Sequence, residues 1–247
     1  MSAPQYGFGS GSLFGRSLTN TPASPVRFGA LQDVSFDFSF TTKMLHGQNQ
    51  FPLAIGRGTG KITCKAKLAQ INAQVFNDIF FGLSNPTTGS VATAIAEAAT
   101  VTANIVTVSN NATYLRDFGV VKASDQSIYT RVTSGPVGQQ YSCNETTGVY
   151  TFNNTQNAVA VAVSYQYTDS SNGKTITITN QLLGNAPQFM AAFAATFNNQ
   201  KQTLLLNACM SSKLMFATKL EDFTIPELDF DVFADSAGNI GSWSVDN

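Results

Sequence analysis

Charge is what this chain has least of. Only 12% of its 247 residues are Asp, Glu, Lys or Arg, about half the roughly 25% usual in soluble domains. The few charges nearly cancel, 14 basic against 15 acidic. Proteins that grip nucleic acid usually carry a basic excess, because phosphate neutralisation supplies most of the affinity, so the balance argues against that class. Histidine is reduced to His46. A Ser-His-Asp triad would have to use it, and no Gly-x-Ser-x-Gly elbow supplies a nucleophile. The three cysteines, Cys64, Cys143 and Cys209, are far apart and odd in number. No Cys-x-x-Cys pair exists, which excludes a zinc ribbon or a thioredoxin-like redox site by spacing; buried thiols are expected. No apolar run approaches the roughly 18 to 20 residues of a membrane helix, so no membrane partner is expected. No basic stretch followed by an apolar core opens the chain, so a secretory signal is not expected. The Asn-x-Ser/Thr triplets at Asn111, Asn144 and Asn153 therefore carry little meaning.

Neutral polarity replaces the charge: Ser, Thr, Asn and Gln recur throughout, beside 19 Phe. Disordered chains combine low hydrophobicity with high net charge; this one has a core to bury. A surface with few charges also repels other copies of itself weakly, which suits an assembly component.

Residues 1–28 read as an extended arm. Tyr6-Gly7-Phe8-Gly9-Ser10-Gly11-Ser12-Leu13-Phe14-Gly15 interleaves apolar side chains with glycines. The glycines oppose a helix, and Tyr6, Phe8, Leu13 and Phe14 suit a segment that orders by docking on a neighbouring copy. Val34 to Phe40 alternates strictly, as a strand with one wet face does. After Gly56, Gly58 and Gly60, a second ladder sets Ile62, Cys64, Ala66 and Leu68 against Lys61, Thr63, Lys65 and Lys67. From Ile71 to Phe81 the period becomes helical, with Gly82 as the stop. Ala92 to Ala99 suits a short helix. Short strands with turns fill 101–167, including a hairpin of Gln140–Cys143 with Val149–Phe152. Thr175 to Thr179 alternates again. Phe189, Phe193 and Phe197 suit a helix stripe or a strand face, and the Asn198-Asn199-Gln200 turn favours a hairpin. Thr224 to Val232 puts Glu227, Asp229 and Asp231 on one face and Leu228, Phe230 and Val232 on the other; Pro226 places its start at an edge. The expected core contains Phe36, Phe38, Phe40, Ile62, Leu68, Phe230 and Val232.

No chemistry-bearing pattern survives inspection. Gly56-Arg57-Gly58-Thr59-Gly60-Lys61 imitates a phosphate-binding loop, but Ile55 stands where the leading glycine is needed. Ile62 then replaces the Ser or Thr and opens a strand instead of a helix. Asp117, Asp222 and Asp235 lack the spacing of a calcium loop and read as solvated turn carboxylates. No catalytic, cofactor-binding or metal-binding residue is assigned, and no enzyme or cofactor is expected.

Several stretches resemble the major tail (tail tube) proteins of tailed bacteriophages. They are the Tyr6–Gly11 arm, Phe28-Gly29-Ala30-Leu31-Gln32-Asp33-Val34, and Arg57-Gly58-Thr59-Gly60-Lys61-Ile62-Thr63 running on to Phe80-Phe81-Gly82. Phe230-Asp231-Val232-Phe233-Ala234-Asp235 with Gly238-Asn239-Ile240-Gly241 is similar too. The resemblance covers both ends of the chain. It implies a β-sandwich with a flanking helix, assembled into hexameric rings that stack into the hollow conduit for genome ejection. It further implies a virion tail location after synthesis in the host cytoplasm, and contacts with tape-measure, tail-terminator and baseplate or tip proteins.

The resulting expectation is a mainly β chain: a sandwich or barrel-like tube-forming domain with one flanking α-helix and an inserted β-rich lobe. Its divisions are the arm 1–28, a discontinuous tube-forming domain of 29–85 and 169–247, and an outer lobe of 86–168. Its main partner is itself, and double-stranded DNA passes through without tight binding. Asp33, Asp37, Glu227, Asp229 and Asp231 are the candidate lumen-facing residues, with Lys61, Lys65 and Lys67 paired to carboxylates or turned away. The competing reading is a β-sandwich binding module (a tail fibre, decoration or host-carbohydrate-binding protein) with Tyr141, Tyr150, Tyr165 and Trp243 as an exposed stacking platform.

Overall fold

A computed structural model describes residues 6–19, 23–82 and 86–246. The chain divides into two compact units, one of residues 1–86 with 176–247 and one of 87–175. In chain order the first unit contributes β1 (Ser12–Ser17), β2 (Val26–Arg27), β3 (Leu31–His46), β4 (Pro52–Leu68) and the single-turn α1 (Ala73–Phe76), which runs on into a wider helical turn at Asn77–Phe81. The second holds β5 (Thr87–Thr100), β6 (Ile105–Thr107), β7 (Tyr114–Lys122), β8 (Thr130–Arg131), β9 (Gln140–Asn144), β10 (Val149–Phe152) and β11 (Ala160–Thr175). The first then resumes with β12 (Gln188–Phe197), β13 (Gln200–Met215), β14 (Glu227–Phe233) and β15 (Gly241–Val245). The fold is mainly β with one flanking helix.

In the first unit the strands form one antiparallel sheet in the order β2-β1-β12-β13-β14-β4-β3, with β15 added beside β13. Period-2 alternation decides its faces. Leu13, Cys64, Leu68, Phe189, Leu206, Leu228 and Phe230 turn inward and are buried, with Val75, Phe76 and Ile79 of the helical segment over them. The sheet curls until Phe36 on β3 meets Phe193 on β12, ring centroids 5.3 Å apart. Asn72 caps the helix with its side-chain oxygen, and Gly82 ends it in the left-handed conformation at φ 61°. Asn198 and Asn199, both at positive φ, make the two-residue turn that sheet twist favours between β12 and β13.

Several expectations need correction here. Phe38 and Phe40 are 46% and 49% exposed: β14 ends opposite Ile62, so the β3–β4 pair runs on past the layer that would cover them. Ile71 lies outside the helix and is exposed. The residues from Ile176 to Thr179 join no strand. The arm is not a separate region, because β1 pairs with β12 along its length. Residues 1–5 and 20–22 of that arm lie outside the described residues.

The second unit has a three-stranded sheet, β5-β11-β7, and a four-stranded one, β6-β10-β9-β8. It runs to Thr175 rather than 168, because β11 continues that far beside β5. Ala92 to Ala99 lies in β5, not in a helix. Alanine's helix preference is a weak prior, and β11 supplies pairing along the whole segment, from Thr88 opposite Lys174 to Thr100 opposite Ala160. Glu97 on β5 accepts hydrogen bonds from the Tyr165 hydroxyl (2.6 Å) and from the Ser109 amide and hydroxyl (2.8 and 2.9 Å). Burial alone would raise its pKa, but these bonds outweigh burial and hold it below the ordinary 4.5. A carboxyl with a lowered folded-state pKa stabilises fully above its unfolded pKa and loses that contribution as pH falls through the folded value. The second unit is therefore expected to hold its stability above about pH 4.5 and lose it progressively below, as tyrosine near-UV circular dichroism during acid titration will show. A titration flat to pH 2 would contradict this.

Candidate assembly surfaces

Three surfaces of the first unit follow from how its strands are laid down. The first is a ribbon. Beyond Lys61, β4 pairs only with β3, through Phe40↔Gly60, Thr42↔Arg57, Met44↔Ile55, Leu45↔Ala54 and His46↔Pro52. A two-stranded ribbon is marginal in water unless its apolar side chains find cover. Here Phe40, Met44, Leu45, Phe51, Leu53 and Ile55 are all exposed, Phe51 by 81% and Leu53 by 70%. No acidic residue occurs between Asp37 and Asp78, so the ribbon's charges, Lys43 and Arg57, are of one sign. The Arg57 guanidinium carbon sits 3.9 Å over the Phe40 ring, a cation–π contact. Two of the glycines have a steric role: a side chain at Gly58 would run into the Thr41 hydroxyl, and one at Gly60 would lie 2.8 Å from the Phe40 ring. The glycine-lysine stretch is thus strand throughout, packed for close cross-strand approach.

The second surface is the sheet face opposite the core. Register lines up Asp33, Lys67 and Glu227 in one row, Ser35, Lys65 and Asp229 in the next, and Asp37, Thr63 and Asp231 in the third. Lys213 on β13 lies opposite Asp229. Lys61 reaches Asp231 at 3.4 Å and Lys67 reaches Glu227 at 3.8 Å, while the Thr63 hydroxyl donates to Asp231 at 3.3 Å. Five carboxylates thus meet four lysines on one face. Exposed pairs of this kind contribute only about 0 to 1 kcal/mol each. Their effect is to leave the face nearly neutral.

The third surface was expected to be the arm, and most of it belongs to the chain's own fold. Leu13 is fully buried in the core, and Phe28 with it. A side chain at Gly15 would collide with Ile79 and Phe28. Phe14 is 39% exposed, and Tyr6 and Phe8 are exposed at 68% and 79%, with the Phe8 ring 5.7 Å from Phe197. Leu13 is therefore no contact for a neighbouring copy: alternation turns it to the inner face of β1. Deleting residues 2–25 removes β1 and exposes β12, so the truncated chain is expected to unfold or aggregate. A cooperative denaturant transition of unchanged midpoint would contradict that.

The second unit buries a carboxylate where the sequence pattern points to a solvated turn. The Asp117 side chain is 3% exposed, not that of a solvated turn residue. Its carboxylate accepts from the Tyr141 hydroxyl at 2.7 Å, the Tyr150 hydroxyl at 3.1 Å and the Gly119 amide at 2.8 Å, with the Arg131 Nε 3.6 Å away. Burial first, then the Asp117 bond at Tyr141 and the Tyr114 bond and Asp117 charge at Tyr150, push both hydroxyls far above the usual phenol range. Tyr114 bridges Tyr150 and Cys143 at 3.1 and 3.2 Å. The signal that could have found it is the cluster of tyrosines around one acid.

Burial pushes the Cys64 and Cys209 thiols up to about 12, which leaves them unreactive. Among the described residues no three His, Cys, Asp or Glu side chains stand together as a metal site requires, and no helix is long and apolar enough to cross a membrane. No protein-family model matches the chain, and no curated protein is significantly similar to it.

Proposed function

We propose that this chain is a structural protein that assembles with itself into stacked rings forming a hollow tube, the tail tube through which a phage genome leaves the virion. The observation that carries the reading is the apolar β3–β4 ribbon, which extends beyond its own core with six large side chains uncovered. Exposed apolar patches of that extent mark interaction sites. Unmatched contacts between identical copies close into a ring or propagate as a filament, and a tube uses both. In this reading the near-neutral face with Asp33, Asp37, Glu227, Asp229 and Asp231 lines the lumen. Lys61 and Lys67 are paired with Asp231 and Glu227, and the five carboxylates of the face outnumber its four lysines, so DNA would slide past a surface with little net attraction for phosphate. The chain would act without catalysis or cofactor, in the virion tail, with tape-measure, terminator and baseplate or tip proteins at the tube's ends.

The rival reading, a carbohydrate-binding module, loses its platform. Tyr141, Tyr150 and Tyr165 are buried at 2%, 0% and 0% exposure, and their hydroxyls serve Asp117 and Glu97. Electron microscopy of the purified chain at rising concentration tests the proposal: rings or tubes are expected, and discrete particles at every concentration would reject it.

A further inference from the structure

The sheet of the first unit is split at one place. One side of β13 is shared end to end, with β14 beside residues 208–215 and β15 beside 202–206. Past Ile62, β4 leaves β14 behind and runs on toward the level of β15, yet its only strand partner there is β3. Among the described residues, the outer edges of β15 and of this part of β4 are therefore both without a strand. A cavity of about 260 Å³ lies between them, lined by Ile62 of β4 and Trp243 of β15 with Phe38 and Leu204, and a second of about 200 Å³ adjoins it, lined by Phe36, Phe38, Phe193, Leu204 and Trp243. Among the described residues no charged side chain lines either cavity.

The same chain carries a segment with the opposite deficiency. Thr175-Ile176-Thr177-Ile178-Thr179 alternates β-branched residues, the strongest local signal for a strand. In the structure β11 stops at Thr175, the residues from Ile176 to Asn180 join no strand, and Ile178 is 70% exposed. From Ile176 to Gly184 there is no charge. Charge selects this segment over two other exposed apolar stretches, and unbroken β-branched alternation selects it over the glycine-interrupted Tyr6–Gly11. The ribbon brings Lys43 and Arg57, and the stretch 216–223 brings Lys219, Glu221 and Asp222; seating either would desolvate ionised groups in an apolar groove, at a large cost.

We infer that residues 176–180 of one copy add as a strand between β15 and β4 of a second copy, with Ile176 and Ile178 seated in the two cavities. Residues two apart on a strand point to the same side about 6.8 Å apart, which suits two adjoining pockets. Backbone hydrogen bonds to both open edges would supply affinity, and the alternating isoleucines specificity. The contact joins two different surfaces, so every subunit gives a strand and takes one, as ring closure requires. This inference rests on the self-assembly reading.

Trp243, the only tryptophan, is 61% exposed in the groove and reports its filling. On assembly followed by light scattering, its emission is expected to move to shorter wavelength. Ile178→Asp, at an exposed position, should keep the native circular dichroism, retain the long-wavelength emission and raise the concentration needed for assembly about tenfold or more, equivalent to about 1.4 kcal/mol. Ile178→Val should behave as the parent. Assembly with unmoved Trp243 emission, or normal assembly of Ile178→Asp, overturns the strand exchange and leaves the tube reading standing. A chain that stays monomeric at every concentration overturns both.

Discussion

Replacing Phe51 and Leu53 together with serine is expected to abolish assembly and leave the subunit folded. Both side chains stand at the end of the β3–β4 ribbon, 81% and 70% exposed, so neither supports the core and the denaturant midpoint should not move. Burying one such side chain against a neighbour is worth about 1.5 to 3 kcal/mol. Losing two at a contact removes about 3 to 6 kcal/mol, a factor of about one hundred to about twenty thousand in the association constant. Repetition of that contact around a ring multiplies the effect. Sedimentation velocity together with circular dichroism separates the two quantities. Unchanged assembly of the double variant would remove the ribbon from the interface.

Asp117→Ala is expected to destabilise the second unit by about 3 kcal/mol or more. The carboxylate is the acceptor for two buried tyrosine hydroxyls and one backbone amide, and each donor left unpaired costs about 1 to 3 kcal/mol. Asp117→Asn, which keeps an acceptor oxygen, should cost less. The protein carries its own two reporters. Six of its seven tyrosines lie within residues 87–175, while Trp243 belongs to the first unit. The tyrosine near-UV signal should therefore melt earlier in denaturant while tryptophan fluorescence keeps its midpoint. A tyrosine transition that does not move would show that Asp117 is dispensable.

The strands of the first unit were legible because period-2 alternation is local. Val34 to Phe40, Ile62 to Leu68 and Leu228 to Val232 each declare a dry face and a wet one without reference to any other segment. The same arithmetic placed Glu227, Asp229 and Asp231 together, and register then brought them beside Lys67, Lys65, Thr63 and Lys61. The errors have one cause, which is that burial depends on what lies above a side chain. Phe38 and Phe40 repeat the pattern of Phe36, yet the strand that would flank them ends opposite Ile62. Leu13 looks like its exposed neighbours Phe8 and Phe14, yet pairing with β12 turns it into the core.

Composition and periodicity by themselves determined the mainly β class, the sparse charge, the helix stop at Gly82 and the wet or dry sense of most strands, all properties of neighbours in the chain. Only the tertiary structure decided which alternating segments find a partner. Ala92 to Ala99 became a strand because β11 lies beside it, and Ile176 to Thr179, with the better strand sequence, stayed unpaired. It also decided that Asp117 is buried among tyrosines and that the β3–β4 ribbon outruns its core. A strand's hydrogen bonds are made to residues distant in sequence, so its own residues can prefer pairing but cannot supply the partner.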